Sequence, residues 1–467
     1  MLKCCKSNKE SVLEQIKAGK IDAITLSTTN LVDDIILAMH TNKILGCLNQ
    51  GMPDRRKHNV TVPYSILWAS AIAAKMKVHS SLTDIPYAIT DHRVLAELGY
   101  SLYNDSGGIG QALMNEGSIR FLAGKYNADD FLTGYNNTVQ KYIMPTLDLI
   151  PNIHILDCTD LEVNFQNENY EGAGIGHSKR LVNEVKPPAR GYKLATLRGI
   201  VDDSGIIEEV QFGPLNTHDL TLSRDMLLTS PMLKSGDILI NDRGFLSREL
   251  INYLKAERNV DVFIPLKKSM SSFNFAVQIA KEENVWEPNP KYEKQKITLV
   301  TNLGDYWESK EKEFDTPDVP INGCVIWYED TNAYAVIVTT DLTKSAKNII
   351  DTYCLRPEIE EDYRQIKDFW RIEDFKSTKL NLIVFHVICV LFGYLFFQLY
   401  TMLPDGKQYA QQSLPVLLKK YQPKIQAYII IYVGNEFGIF TLFEVLELYA
   451  NVPEEIKSLI ERQVKEI

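Results

Sequence analysis

Asp157, Asp242 and Glu360 are the side chains whose type and placement could do chemistry in this chain. Asn152-Ile-His-Ile-Leu-Asp157 reads as a short strand ending in an acid. Gly236-Asp-Ile-Leu-Ile-Asn-Asp242 reads as another, and it runs into an Asp-Arg-Gly-Phe turn that would expose the carboxylate. Ligands of open α/β sheets gather at the carboxyl ends of strands. Two acids there and a third from a packed helix could hold two hard divalent cations. Such a pair sits about 3.5–4 Å apart and clamps the attacking and leaving oxygens of a phosphoryl transfer. All-oxygen ligands point to Mg²⁺, which tolerates retained waters. The same three acids would serve equally as ordinary polar ends of elements in a chain with 60 Asp and Glu.

The third acid belongs to the stretch Tyr353-Cys-Leu-Arg-Pro-Glu-Ile-Glu-Glu-Asp-Tyr-Arg-Gln-Ile-Lys367. Pro357 suits the first position of a helix, with Arg356 just outside it. Glu358, Glu360, Glu361 and Asp362 then crowd the positive end of the helix dipole. Ile359, Tyr363, Ile366 and Trp370 recur at helical spacing and form the buried stripe. At roughly 100° per residue, Glu360 and Lys367 lie at the edge of that stripe, while Glu361 and Asp368 point to solvent. A partly sheltered Glu360 needs a reason, and a bound cation is one; a solvated acidic helix start is the other.

Around these residues the chain of 467 residues is long enough for two to four domains. Hydrophobic content is 45% and charged content 24%, ordinary for a globular protein. The net charge of −10 means that any nucleic-acid binding must use local basic patches. Cys4, Cys5, Cys47, Cys158, Cys324, Cys354 and Cys389 are scattered with no C-x-x-C pair, which argues against a disulfide framework and a zinc ribbon. The first ten residues contain no apolar signal-peptide core, so a cytoplasmic location is expected. Leu380–Leu403 is long and apolar enough to span a membrane, but Asn381, His386 and Gln398 would be costly in lipid. A buried core helix, with His386 a core histidine, is the reading taken, and no membrane partner is expected.

Taken in order, residues 1–150 read as a helical N-terminal region, with helices at Ser11–Ala18, Leu31–Met39 and Ser65–Met76. A helix start at Ser80–Pro86 and a break at Ser106-Gly-Gly108 follow. Gly117–Arg120, Phe121–Tyr126 and a helical Phe131–Ile143 resemble a helix-turn-helix. The basic cluster Asp54-Arg-Arg-Lys-His58 is the electrostatic handle for DNA there. From 151 to 265 the pattern is α/β: the first strand, a loop with Gly172–Gly176, a hairpin of Tyr192–Val201 and Ile206–Phe212 turning at Asp202–Gly205, a helix His218–Leu228, the Asp242 strand, a helix Ser247–Glu257 and a strand Val260–Pro265. This matches a ribonuclease-H-like order with a mixed sheet. Residues 266–345 read as a β-rich insertion (Lys296–Val300, Gly323–Tyr328, Ala333–Thr339). Residues 346–405 resume the core with the acidic helix, and 406–467 form a helical C-terminal region. Lys179, Arg180, Lys186, Arg190, Lys193 and Arg198 against Glu184 alone make 177–198 either a DNA-backbone track or an ordinary solvated loop.

These residues together resemble the DDE transposases of bacterial insertion sequences, most closely the group marked by Tyr-x2-Arg-x3-Glu-x6-Lys. Tyr353, Arg356, Glu360 and Lys367 carry that pattern without a gap. Asp157-Cys-Thr159 is similar to the family's Asp-(Ser/Gly)-Thr, and Asp242-Arg-Gly-Phe245 to its Asp-Arg-Gly-(Tyr/Phe). Lys193 and His218-Asp219 fall in familiar places. Pro357 and Cys158 depart from the usual Trp and Ser or Gly. The resemblance covers about 150 to 400. It implies that Asp157, Asp242 and Glu360 bind two Mg²⁺ ions, with Mn²⁺ able to substitute, for phosphodiester hydrolysis followed by attack of the freed 3′-OH. It places Tyr353, Arg356, Lys367, Lys193 and Arg243 on DNA, the terminal inverted repeats of an element and its target, in a homodimer acting at the bacterial nucleoid. A hairpin intermediate with a flipped base on Trp286, Trp307 or Trp327 is compatible with it, Trp327 reading as core. A degenerate copy that only binds DNA, or a nuclease of the same fold that cuts without joining, are the rival readings.

Overall fold

Asp157 and Asp242 owe their nearness to two short runs of Ile and Leu that pair in parallel. The computed structural model describes residues 6–27, 30–57, 62–78, 81–100, 113–179, 185–201, 204–306, 314–410, 412–421 and 428–465. Cys4, Cys5, His58, Ser80, the Ser106–Gly108 break, Arg180, Glu184, the Asp202-Asp203 turn and Trp307 lie outside them. The chain divides into two units, one of residues 147–364 and the other of 1–146 with 365–467. The described cysteines Cys47, Cys158, Cys324, Cys354 and Cys389 are free thiols.

The unit 147–364 is built on a 10-stranded mixed sheet. Its centre is the strand Ile153–Val163, flanked on one side by the long strand Pro188–Val201 in antiparallel register (Asp157 opposite Thr196). On the other side Ile238–Asn241 pairs in parallel, Leu156 opposite Asn241. The hairpin partner Ser204–Pro214 lies outside Pro188–Val201, and Asp261–Pro265 continues beyond Ile238–Asn241 in parallel. The strands Gln295–Val300, Asn322–Tyr328 and Ala333–Thr339 do not form a separate sheet. Ala333–Thr339 pairs antiparallel with Asp261–Pro265, so the β-rich stretch extends the same sheet. It also contains a helix, Ser271–Glu283, that periodicity did not single out. The core behind the sheet is Ile155, Ile240, Phe263, Ile297, Ile349 and Ile359, β-branched and aromatic side chains that fit a pleated surface.

Two features of this unit were not foreseen. Asp157 does not end its strand, which runs on to Val163; the parallel pairing is what ends at Leu156. His154, three residues earlier on the same strand, is fully buried between Glu208 at 2.8 Å and Asp237 at 3.2 Å. Gly199 leaves the space for Glu208, since a Cβ there would stand 2.3 Å from its Oε1. Burial alone would lower the imidazole pKa, but hydrogen bonds to Asp237 and Glu208, with their charges, lift it to about 9. A base whose folded pKa lies above its unfolded value of about 6.5 stabilises fully below that value. The contribution fades as pH rises through 9. The melting temperature of the protein is therefore expected to fall between pH 6.5 and 9.5, and the fall to flatten in His154→Gln. Equal slopes in the two proteins would remove His154 as the cause.

In the other unit the helices Lys9–Lys17, Leu31–Thr41 and Tyr64–Met76 stand within two residues of their expected positions. The termini are less purely helical than their spacing suggests. Ala23–Leu26 pairs with a hairpin of Tyr428–Val433 and Glu436–Thr441, and Lys6–Ser7 completes a 4-stranded sheet. Its core is Val12, Ile16, Ile431, Phe440 and Ile456. The helix Leu380–Met402 is long and apolar enough to cross a membrane, but 83% of its apolar window is buried inside the protein. Phe385 meets Trp68 and Phe131 at ring separations of 5.6 and 5.4 Å, and Phe392 meets Tyr135 at 4.8 Å. Gly117–Ala123 and Ala128–Asn137 are consecutive helices joined by a short turn. The second carries a capping box at Asn127 and Asp130 and continues through a π-helical turn at Thr138–Ile143.

Candidate active site

Parallel pairing stops at Leu156 and Asn241, and the next residue on each strand is an acid. Asp157 and Asp242 thus stand where the parallel pairing ends, Asp157 within a strand that runs on to Val163 and Asp242 at the turn after its own strand. Asp157 is 8% exposed, and its Oδ1 accepts the amide of Cys158 at 2.7 Å. Asp242 caps the turn Arg243–Phe245 by accepting the Gly244 amide, which fixes its carboxylate at the turn.

The helix Pro357–Asp368 supplies the third acid, and its start at Pro357 agrees with the sequence reading. Its register on the sheet is set by three buried contacts. Ile359 enters the core. Tyr363 donates its hydroxyl to the carbonyl of Asp157 at 2.7 Å and meets Thr196 Oγ1 at 2.6 Å. Asp362 pairs with the buried Arg198 at 2.7 Å, and Glu358 lies 3.0 Å from the same guanidinium. Asp362 therefore does not join the solvated acids at the helix start. Its pairing explains why an acid stands on the buried face next to Tyr363.

Arg356, one residue before Pro357, joins the three acids. Nη1 lies 2.6 Å from Glu360 Oε1, and Nη2 lies 3.1 Å from Asp157 Oδ2 and 3.5 Å from Asp242 Oδ2. One guanidinium fork is thus shared by all three carboxylates, the geometry its planar donors favour. Burial raises the pKa of Asp157 and Arg356 opposes it, the balance falling at about 6. Tyr353 is half-buried; burial lifts its phenol to about 12, with Arg356 pulling down and Asp242, Asp157 and Glu360 pushing up. Glu360 itself is exposed, its side chain at 55%, rather than sheltered at the stripe edge; Arg356 is what holds it towards the sheet. Glu361 points to solvent and pairs with Arg364 at 2.6 Å.

The other expected DNA ligands fare differently. Lys193 is buried, donating to Asp219 at 2.5 Å and to the Thr217 carbonyl at 2.7 Å. Asp219 also raises the Cys158 thiol, behind burial as the main cause, so Lys193 and Asp219 stand beside the Asp157 edge. Arg198 is 5% exposed and internally paired, and Arg190 bonds the Phe165 carbonyl at 3.0 Å. Of the basic stretch, only Lys179 and Lys186 are exposed among the described residues, so it is not an open track. Arg243 is exposed one residue after Asp242. Lys367 pairs with Glu373 at 3.2 Å in the other unit. Trp327 is partly exposed rather than core: it lies with Trp286 at 5.6 Å and Tyr334 at 6.4 Å, under Lys296. The cluster near 55 is largely neutralised, Arg55 by Asp130 and Arg56 by Asp54, both at 2.7 Å.

Among the described residues no group of three or more His, Cys, Asp or Glu is spaced to hold a metal ion by itself. The three acids are spaced by the Arg356 fork. Their donors are nonetheless all hard oxygens on a convergent edge, the chemistry that suits Mg²⁺ or Mn²⁺. A cation would take over the charge that Arg356 now neutralises.

Comparison with known families fits this edge. Residues 184–396 match the model of the transposase DDE domain, a stretch that contains Asp242 and Glu360 and begins after Asp157. Over those residues the chain is similar to the transposase DDE domain. No curated protein matches it.

Proposed function

We propose that this chain is an insertion-sequence transposase of the Tyr-Arg-Glu-Lys group, which cleaves DNA at the ends of its element and joins the freed 3′-OH to a target by a cut-and-paste route. The observation that carries this reading is the single Arg356 guanidinium bound to Asp157, Asp242 and Glu360. Residues 199 positions apart in sequence (Asp157 and Arg356) meet there with no gain to packing that an apolar pair could not supply.

The strand order, with Ser204–Pro214, Pro188–Val201, Ile153–Val163, Ile238–Asn241 and Asp261–Pro265 as neighbours, supports a ribonuclease-H-like core, and the β-rich stretch a family-type insertion. Asp157, Asp242 and Glu360 would hold two Mg²⁺ ions, or Mn²⁺ in their place. When bound, the ions supply a water of lowered pKa and neutralise charge on the phosphoryl oxygens. The protein's own part is positional. Tyr363 and the Cys158 amide fix Asp157, the Gly244 amide fixes Asp242, and Arg356, once released from the acids, presents its fork to a phosphate. Tyr353 lies close enough to feel its charge, and Arg243 is exposed one residue after Asp242. Lys367 and Lys193 are each paired with an acid and would reach DNA only by exchanging that partner. Two element ends must be held together, so a homodimer acting on double-stranded DNA is part of the reading, as is a bacterial cytoplasm.

The test is an end-labelled duplex bearing the element's own termini, incubated with Mg²⁺ or with chelator. Metal-dependent 3′-OH ends and joined products are expected. Cutting without joining would replace the reading with a nuclease of the same fold. Binding with no cutting, in Mn²⁺ as well, would replace it with a degenerate DNA-binding copy.

A further inference from the structure

Lys193 and Asp219 form an ion pair beside the acidic edge that the cleavage chemistry does not use. Lys193 lies opposite Asp160 in the pairing of Pro188–Val201 with Ile153–Val163. Residues directly opposite on adjacent strands share a face, and successive residues alternate. Asp160, Cys158 and Lys193 therefore face one way, and Asp157 with its opposite number Thr196 the other. The Thr196 face meets Tyr363 of the helix Pro357–Asp368. The Lys193 face meets the helix Asp219–Thr229, where Cys158 Sγ lies 3.7 Å from Ser223 Oγ. The strand that carries Asp157 is thus held between two helices, and the second brings an acid of its own.

That acid, Asp219, is the first residue of its helix, and His218 caps the start by accepting the Leu220 amide at 3.2 Å. Asp219 Oδ1 accepts from Lys193 Nζ at 2.5 Å, and the same ammonium donates to the Thr217 carbonyl at 2.7 Å. The other oxygen reaches the turn after Asp242. A Cβ on Gly244 would stand 3.6 Å from Asp219 Oδ2 and 2.8 Å from Asp242 Oδ1. Gly244 thus sits between two carboxylates, one of which accepts its amide. Like charges brought that close repel unless a cation takes one of them. Lys193, its side chain only 11% exposed, takes Asp219, whose side chain is 29% exposed, so water screens the pair only in part.

We infer that Lys193 and Asp219 are a positioning pair for Asp242, and that Lys193 serves the acidic edge in this way and not as a DNA ligand. Lys193 neutralises Asp219 and ties the helix start and Thr217 to the sheet. The helix start in turn backs the Gly244 turn that orients the Asp242 carboxylate. Without the ammonium, the Asp219 charge pushes on Asp242 or competes with it for a cation. The inference rests on the reading that Asp157, Asp242 and Glu360 hold a divalent metal.

Mn²⁺ binding to the full chain without DNA, followed by the paramagnetic resonance of the free ion, reads the placement of Asp242 apart from cleavage. Wild type is expected to bind, and Asp242→Asn to lose that binding. Lys193→Met should weaken it about tenfold, the usual cost of removing a group that orients a metal ligand. Lys193→Met with Asp219→Leu removes both charges. It should recover the melting temperature lost in the single variant and leave Mn²⁺ binding weak. Duplex affinity against salt, with chelator present, should keep its slope in Lys193→Met, whereas loss of a phosphate ligand would reduce the slope by about 1. Mn²⁺ binding that returns with stability in the double variant reduces the pair to a structural role. That result, wild-type Mn²⁺ binding in Lys193→Met, or the reduced slope each overturns the inference. A wild type that binds no Mn²⁺ through Asp242 overturns it along with the metal reading. A chain that binds Mn²⁺ through Asp242 and Lys193 as expected but cuts no DNA would sink the transposase reading and leave the pair standing.

Discussion

Asp157→Asn, Asp242→Asn and Glu360→Gln are each expected to abolish metal-dependent DNA cleavage, a loss of at least about a thousandfold, since a metal clamp contributes several kcal/mol to such a reaction. Each change keeps the shape of the side chain and removes one negative charge from a set that now shares a single guanidinium. The loss is not expected to come from unfolding. Asp157 is held near pKa 6, chiefly by burial, so its charge is already costly to the fold. Asp157→Asn should leave the melting temperature unchanged or raise it. Glu361→Gln is the control for position. It sits next to Glu360 but points to solvent with Arg364, and should cut like wild type. Cleavage of an end-labelled duplex in Mg²⁺, with a thermal melt of each variant, reads both effects. A Glu360→Gln protein within tenfold of wild type would mean that the third acid is elsewhere.

The contrast between Glu360 and Asp362 shows what periodicity can and cannot resolve. Ile359, Tyr363, Ile366 and Trp370 are buried as their spacing requires, because a stripe of apolar residues is a property of the helix alone. Which acid beside the stripe faces the sheet depends on the partner it finds there. Asp362 finds Arg198, a residue 164 positions earlier, and is buried; Glu360 finds Arg356 and stays exposed. The positions of Asp157 and Asp242 were legible because both close short β-type runs. That Asp157 lies mid-strand was not, since only the pairing partner ends there. His154 was invisible for the same reason as Asp362: its carboxylates come from other strands and loops. The hairpin Tyr428–Val433 with Glu436–Thr441 escaped a helical reading because its register is set by Ala23–Leu26 at the other end of the chain. Basic residues misled most. Lys193, Arg198, Arg55 and Arg56 look like a polyanion surface in sequence, and each is spent on an internal acid.

Arg198→Met is expected to destabilise the protein by about 3–5 kcal/mol, the cost of leaving one member of a buried ion pair alone. Arg198 and Asp362 are each 5% exposed and lie 2.7 Å apart, so solvent cannot take over the missing charge. Gly205 shows how closely the site is built around the guanidinium, for a Cβ there would stand 1.9 Å from the Arg198 Cζ. Methionine fills much of that volume without the charge, which isolates the electrostatic loss. The double change Arg198→Met with Asp362→Leu removes both charges and should recover most of the stability, because an apolar pair can match a buried salt bridge. The functional consequence follows from the helix register. Asp362 lies two residues from Glu360 and next to Tyr363, which bonds the Asp157 carbonyl. Loosening it lets the third acid drift from the other two. Cleavage in Arg198→Met should therefore fall even at temperatures where the protein remains folded. Urea unfolding of the single and double variants, read with cleavage at low temperature, tests both claims. A single variant as stable as wild type would show that water or another cation reaches Asp362, and that the acidic helix is held by its apolar stripe alone.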